Sequence, residues 1–228
     1  MITQIYSIQT VEEALWCVEA GVDYIGMAAD TKSGLPAEVS LERGKEIFAA
    51  IGDRAKKVAL AVADDPAPIY EAVGALRPDV IHVCGNNYYV TPEFARDVKK
   101  LCPGIQVLQA IPMTGPGAIP LAERFGAFCD TLILDSVDPA IAGIGAAGFP
   151  HDWAVSAEIV RRVPCHVILA GGLGPENVAE AIRRVRPWGV DSLTRTSLRL
   201  PDGTLRKDPE KVRLFVERAH AAAKELGI

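Results

Sequence analysis

The 228-residue chain has no excess of basic residues: 24 Lys and Arg stand against 29 Asp and Glu, giving a net charge of −5 and a pI near 5.4. That balance leaves no electrostatic footprint for nucleic acid or for an anionic membrane surface. No uninterrupted apolar run approaches the ~20 residues needed to cross a bilayer. The segment Met1-Ile2-Thr3-Gln4-Ile5 reads as a strand with no basic n-region or apolar core before it, so the expected compartment is the cytoplasm. Cysteines are few, odd in number and scattered (Cys17, Cys84, Cys102, Cys129, Cys165), with no CxxC pair, which argues against a disulfide framework or a zinc site. No metal and no cofactor is expected. No GxGxxG follows the first strand, which weakens a dinucleotide-binding reading. No linker or low-complexity tract divides the chain, so residues 1–228 are expected to form one domain.

What is present is an alternation of short apolar runs with amphipathic helical patterns. Strands are expected at Thr3–Ile8, Tyr24–Ala28, Lys57–Ala63, Val80–Cys84, Ile105–Ile111, Thr131–Val137, His166–Ala170 and Val190–Leu193. Helices are expected to begin near Val11, Ser40, Ala67, Pro92, Ile119, Asp152, Pro175 and Pro209. Thr10, Thr91-Pro92-Glu93 and Asp208-Pro209-Glu210 carry helix-start signals, a capping side chain followed by Pro or acids. Eight strands alternating with eight helices imply parallel strands joined by right-handed crossovers, and a closed (βα)8 TIM barrel fits eight units better than an open sheet.

In such barrels chemistry sits at the C-terminal ends of the strands. Leu169-Ala170-Gly171-Gly172-Leu173-Gly174-Pro175 reads as strand, glycine turn and helix start, where backbone N–H groups can bind a phosphate. The alternative is a plain tight turn. Thr194 and Arg195, after the eighth strand, complete that candidate site. Arg195 can clamp a phosphate or carboxylate bidentately, or pair with Asp191 or another nearby acid. His82 and Cys84 are two residues apart and so share a face with Val80. They are either replacement bases or a buried core pair. His151 follows a glycine-bearing loop, Val137–Pro150, that could act as a lid.

Several segments together resemble the phosphoribosylanthranilate isomerases. Ile168–Val178, Gly189-Val190-Asp191, Pro201-Asp202-Gly203 and Lys207–Val212 are similar to that family's closing motifs. Ile81-His82-Val83-Cys84-Gly85 stands where the family has Val-Gln-Leu-His-Gly. Gly145-Ala146-Ala147-Gly148 followed by His151-Asp152-Trp153 stands where it has Gly-Gly-Thr-Gly and Phe-Asp-Trp, which makes Gly145 a further candidate substrate contact. The opening motif Lys-Ile-Cys-Gly-Ile-Thr is matched to Ile5–Thr10, followed by Glu12-Glu13-Ala14.

The resemblance implies a barrel that moves protons in an Amadori rearrangement of a phosphorylated aminoaldose to an aminoketose. It implies a strand-six aspartate, Asp135, as general acid. It places the family's basic cysteine at Ser7, a poor base at neutral pH, and the arginine that meets the anthranilate side at Ala37. The expectation is therefore an acid–base isomerase or epimerase, or a related lyase, acting on a phosphorylated, sugar-derived small molecule that differs from the family's substrate. A genuine phosphoribosylanthranilate isomerase and a noncatalytic phospho-ligand barrel are the alternatives. A monomer or homodimer is expected.

Overall fold

The computed structural model describes residues 1–35, 37–84, 89–137, 144 and 149–228. Its strands are β1 (Ile2–Ile5), β2 (Tyr24–Ala29), a two-residue β3 (Glu38–Val39) on the rim, β4 (Lys56–Ala61), β5 (Val80–Val83), β6 (Gln106–Pro112), β7 (Thr131–Asp135), β8 (His166–Leu169) and β9 (Gly189–Ser192). All pair in parallel with their neighbours, and β1 pairs with both β2 and β9. The sheet thus closes into the expected eight-stranded barrel. The helices are α1 (Val11–Glu19), α2 (Leu41–Ile51), α3 (Ala67–Leu76), α4 (Pro92–Leu101), α5 (Ala118–Gly126), α6 (Trp153–Arg162), α7 (Val178–Val185) and α8 (Pro209–Leu226). None of them is long and apolar enough to cross a membrane.

Strand alternation divides the core in two. Along β5, Val80 and Cys84 join a cluster with Val58, Leu108, Ile133 and Ile168 inside the barrel, while Ile81 and Val83 join the larger cluster under the helices. His82 shares the inward face, as its spacing implies.

The capping signals form as expected. Thr10, Thr91 and Asp208 each accept a hydrogen bond from the first turn of their helix. α7 begins at Val178 rather than Pro175, because Asn177 holds the preceding turn: its Oδ1 accepts from the Gly174 N–H and its Nδ2 donates to the Gly172 carbonyl.

An antiparallel hairpin, β10 (Ser197–Arg199) and β11 (Leu205–Lys207), follows β9 and lies across the barrel mouth. Buried Glu13 anchors it. One carboxylate oxygen closes the α1 capping box by accepting the Gln9 and Thr10 N–H groups, and the other accepts the Lys207 N–H. Glu13→Ala leaves these donors without that acceptor and should lower stability by about 2–3 kcal/mol. Denaturant unfolding checks this; a loss below about 0.5 kcal/mol would show the anchor to be dispensable.

Candidate active site

The mouth opens into a cavity of about 490 Å³, a size that suits a small metabolite. Tyr6, His82, Cys84, Asp135 and Asp191 line its inner part, Leu35, Ala37, Leu60 and Val62 one wall, and the hairpin its rim. Of the residues singled out in the sequence, Ser7, His82, Cys84 and Asp135 line this cavity, with two additions.

The first addition is Tyr6. Its hydroxyl lies 2.7 Å from His82 Nδ1, and both side chains are buried. The ring fills the space over Gly26, where a Cβ would overlap it. Ser7, by contrast, has a φ of +64°, a left-handed conformation natural to glycine and uncommon for serine. That geometry corrects the assignment of the family's cysteine to Ser7. With Ile5 and Ile8 as anchors, the motif Lys-Ile-Cys-Gly-Ile-Thr runs without a gap over Gln4–Gln9. Ser7 then takes the glycine's place and Tyr6 the cysteine's. The same kink ends β1 at Ile5 rather than Ile8. Ser7 still lines the cavity, but not as the cysteine's counterpart.

Burial governs the titration of this cluster. It pushes the Tyr6 phenol well above its usual range, with Asp191, Cys84 and Asp135 adding in the same direction, and it lowers the His82 imidazole to about 3, so His82 is neutral. His82 Nε2 is buried without a hydrogen-bond partner among the described residues. Asp135 is raised to about 7 by burial, against the opposing hydrogen bond from the Ser136 N–H. At neutral pH it is therefore divided between acid and carboxylate, as a general acid needs.

Asp191, the second addition, is buried, accepts from Gln4 Nε2 at 3.2 Å, and is held well above its ordinary range by burial and by Asp135. Cys84 is a different matter. Its thiol donates to the Ile144 carbonyl at 2.7 Å and is pushed up to about 12, chiefly by burial, which leaves it a poor base. Of the two readings left open for Cys84, this geometry favours the buried structural thiol.

A narrow cleft, lined by Gly171, Gly172, Thr194 and Arg195, opens beside Asp135 and Asp191. Both glycines have positive φ, and a Cβ on Gly172 would lie 2.5 Å from the Phe149 carbonyl carbon, so the turn requires them for packing whatever it binds. The Arg195 guanidinium forms an ion pair with Glu176, which is the second of the two readings left open for it, with Glu176 rather than Asp191 as the nearby acid. Arg195 Nε is buried with no hydrogen-bond partner among the described residues. Gly145 lies outside the described residues, as does most of the loop read as a lid. His151 is partly buried beneath the Gly171 turn, Nε2 on Ser156 Oγ at 2.8 Å.

Tyr6 and Asp191 were both within reach of the sequence. The unbroken spacing from Ile5 through Ile8 to Glu12-Glu13-Ala14 fixes the phase of the first motif. Asp191 alternates with Gly189 on a strand whose end faces the mouth.

Comparison with known proteins gives the family. Residues 3–218 match the family model for N-(5'-phosphoribosyl)anthranilate (PRA) isomerase. An N-(5'-phosphoribosyl)anthranilate isomerase of Methanocella arvoryzae is 32% identical over 209 residues, 92% of this chain and 93% of that protein. The phosphoribosyl anthranilate isomerase of Thermus thermophilus superposes with a TM-score of 0.78 at 25% identity, covering 97% of this chain and 99% of its own. An enzyme of the same name, solved with reduced 1-(o-carboxyphenylamino)-1-deoxyribulose 5-phosphate, superposes with a TM-score of 0.75 at 23% identity, over 97% of this chain and 100% of its own, a likeness of fold. The chain belongs to the N-(5'-phosphoribosyl)anthranilate isomerase family.

Proposed function

We propose that the chain isomerises N-(5'-phosphoribosyl)anthranilate, or a close relative of it, to the corresponding aminoketose. The observation that carries this reading is the position of Asp135, a carboxyl raised to about 7 that lines both the metabolite-sized cavity and the glycine cleft. A phosphate held by the N–H groups around Gly171–Gly172 and Thr194 would bring the sugar ring to that acid. The activity carried in the relatives' names favours this substrate over the different one expected from the sequence.

Asp135 gives its proton to the ring oxygen, the ring opens, and an iminium forms at the anomeric carbon. Loss of the proton on the adjacent carbon gives an enolamine that tautomerises to the ketone, so the reaction is redox-neutral. The proton acceptor assigned here is the Tyr6–His82 pair. The Tyr6 oxygen takes the carbon-bound proton as its own hydrogen passes to His82 Nδ1. Each group alone is a poor base in the empty site. Once Asp135 has donated, its new negative charge in the same cavity favours an imidazolium.

The test follows loss of N-(5'-phosphoribosyl)anthranilate fluorescence with purified protein. Conversion is expected at a rate below that of a cysteine-bearing relative, by about 10²-fold or more. Absence of conversion above the uncatalysed rate would overturn the reading.

A further inference from the structure

We propose that Arg199, on the mouth hairpin, supplies the cation that receives the carboxylate on the substrate's aromatic amine, a task the resemblance assigns to the position occupied here by Ala37. The inference rests on the substrate class proposed above.

Three observations lead to it. Among the described residues that line the cavity, Arg199 is the single Lys or Arg, while Asp135, Asp191 and Asp202 line it as acids. An anionic aromatic ligand entering a space walled by carboxyls needs a compensating cation. Second, the pleat of the hairpin fixes which way Arg199 faces. Ser197 pairs with Lys207 and Arg199 with Leu205, so these four side chains share one face. Lys207 Nζ on that face reaches inward to the Leu193 carbonyl and Ser197 Oγ, and Leu205 lines the cavity, whereas Leu198 on the opposite face is 48% exposed. Arg199 is itself exposed, but it shares the face of Leu205 and lines the cavity with it, at the solvent edge of the mouth. Third, the hairpin is tied down at several points: Gln9 Nε2 donates to the Leu205 carbonyl, Glu13 accepts the Lys207 N–H, and Lys211 Nζ donates to the Ser197 carbonyl.

Apolar Leu35, Ala37, Leu60, Val62 and Leu205 line the same cavity as Arg199, a lining suited to an aryl ring. In the free protein Arg199 Nη1 donates to the Gly203 carbonyl, an exposed bond within the hairpin tip that leaves four of its five N–H donors for a bidentate carboxylate contact.

The experiment measures Kd by calorimetry for two probes. One is reduced 1-(o-carboxyphenylamino)-1-deoxyribulose 5-phosphate, and the other is its phenylamino analogue lacking the carboxylate. The wild-type protein is expected to bind the carboxylated probe about tenfold or more tightly than the analogue. Arg199→Gln should abolish that preference while leaving the analogue's affinity intact, which also reports that the variant is folded. A preference that survives Arg199→Gln, or a wild-type protein with no preference, overturns the proposal. Failure of both probes to bind overturns it together with the proposed function. An Arg199-dependent preference in a protein that turns over no substrate leaves this proposal standing and removes only the catalytic one.

Discussion

Asp135→Asn is expected to lower turnover of the substrate by about 10²-fold or more while leaving phosphate-end binding in place, the loss typical of removing a general acid. The expectation depends on where the carboxyl sits. Asp135 closes β7 at the cavity, burial raises the cost of ionising it, and the hydrogen bond from the Ser136 N–H only partly offsets that cost. An amide at this place keeps the shape and can donate a hydrogen bond, but it cannot give up a proton. The rate of the wild-type enzyme should fall as pH rises through about 7, because only the protonated form acts. Unchanged turnover in the variant would remove Asp135 from the mechanism.

The same carboxyl makes stability pH-dependent, and the sign is the reverse of a salt-bridged acid. Its folded-state pKa lies above the unfolded value near 3.9, so between these two the native state binds the extra proton. Stability is then lost as pH rises from about 4 to about 7. Asp191 is raised as well and steepens the loss. From Asp135 alone the upper bound is about 4 kcal/mol, at roughly 1.4 kcal/mol per pH unit, reduced by whatever water the open cavity admits. Asp135→Asn should thus be more stable than wild type at pH 8 and show a shallower decline between pH 4 and 7. Denaturant midpoints across that range measure it.

The barrel was legible because its signals are local and repeated. A capping residue at Thr10, Thr91 or Asp208 needs only its own turn, and inward-outward alternation along Val80–Cys84 needs only one strand. The hairpin over the mouth was not legible, since three-residue strands carry too little alternation to stand out. Nor was the partner of Arg195. Glu176 is far from it along the chain, and the sequence offers no distance between the turns after β8 and β9. The phase error at Ser7 has another cause. Serine resembles cysteine in shape, so a one-residue slip looked like a conservative substitution. The gapless spacing from Ile5 to Glu12-Glu13-Ala14 gives Ser7 the glycine's place, and the positive backbone φ at Ser7 agrees with it.

Tyr6→Phe therefore tests the reading most directly, and it should cost about 10²–10⁴ in turnover, the range associated with general-base assistance. The phenyl ring preserves the packing over Gly26 and removes only the hydroxyl that lies 2.7 Å from His82 Nδ1. Affinity for the carboxylated product analogue should change little, so the effect belongs in kcat. A purely structural Tyr6–His82 bond predicts the opposite pattern, a loss of stability with turnover intact. Tyr6→Cys is the companion variant. It places a thiol where the family pattern has one, at the cost of a void over Gly26 and an unpaired His82 Nδ1. If a free base is what limits the wild-type rate, the cysteine variant should match or exceed the tyrosine enzyme toward N-(5'-phosphoribosyl)anthranilate despite lower stability. Ser7→Cys should give no such gain, because its side chain leaves a left-handed backbone position that is the glycine's and not the base's. A gain from Ser7→Cys together with full activity in Tyr6→Phe would return the base to Ser7 and sink the assignment to Tyr6.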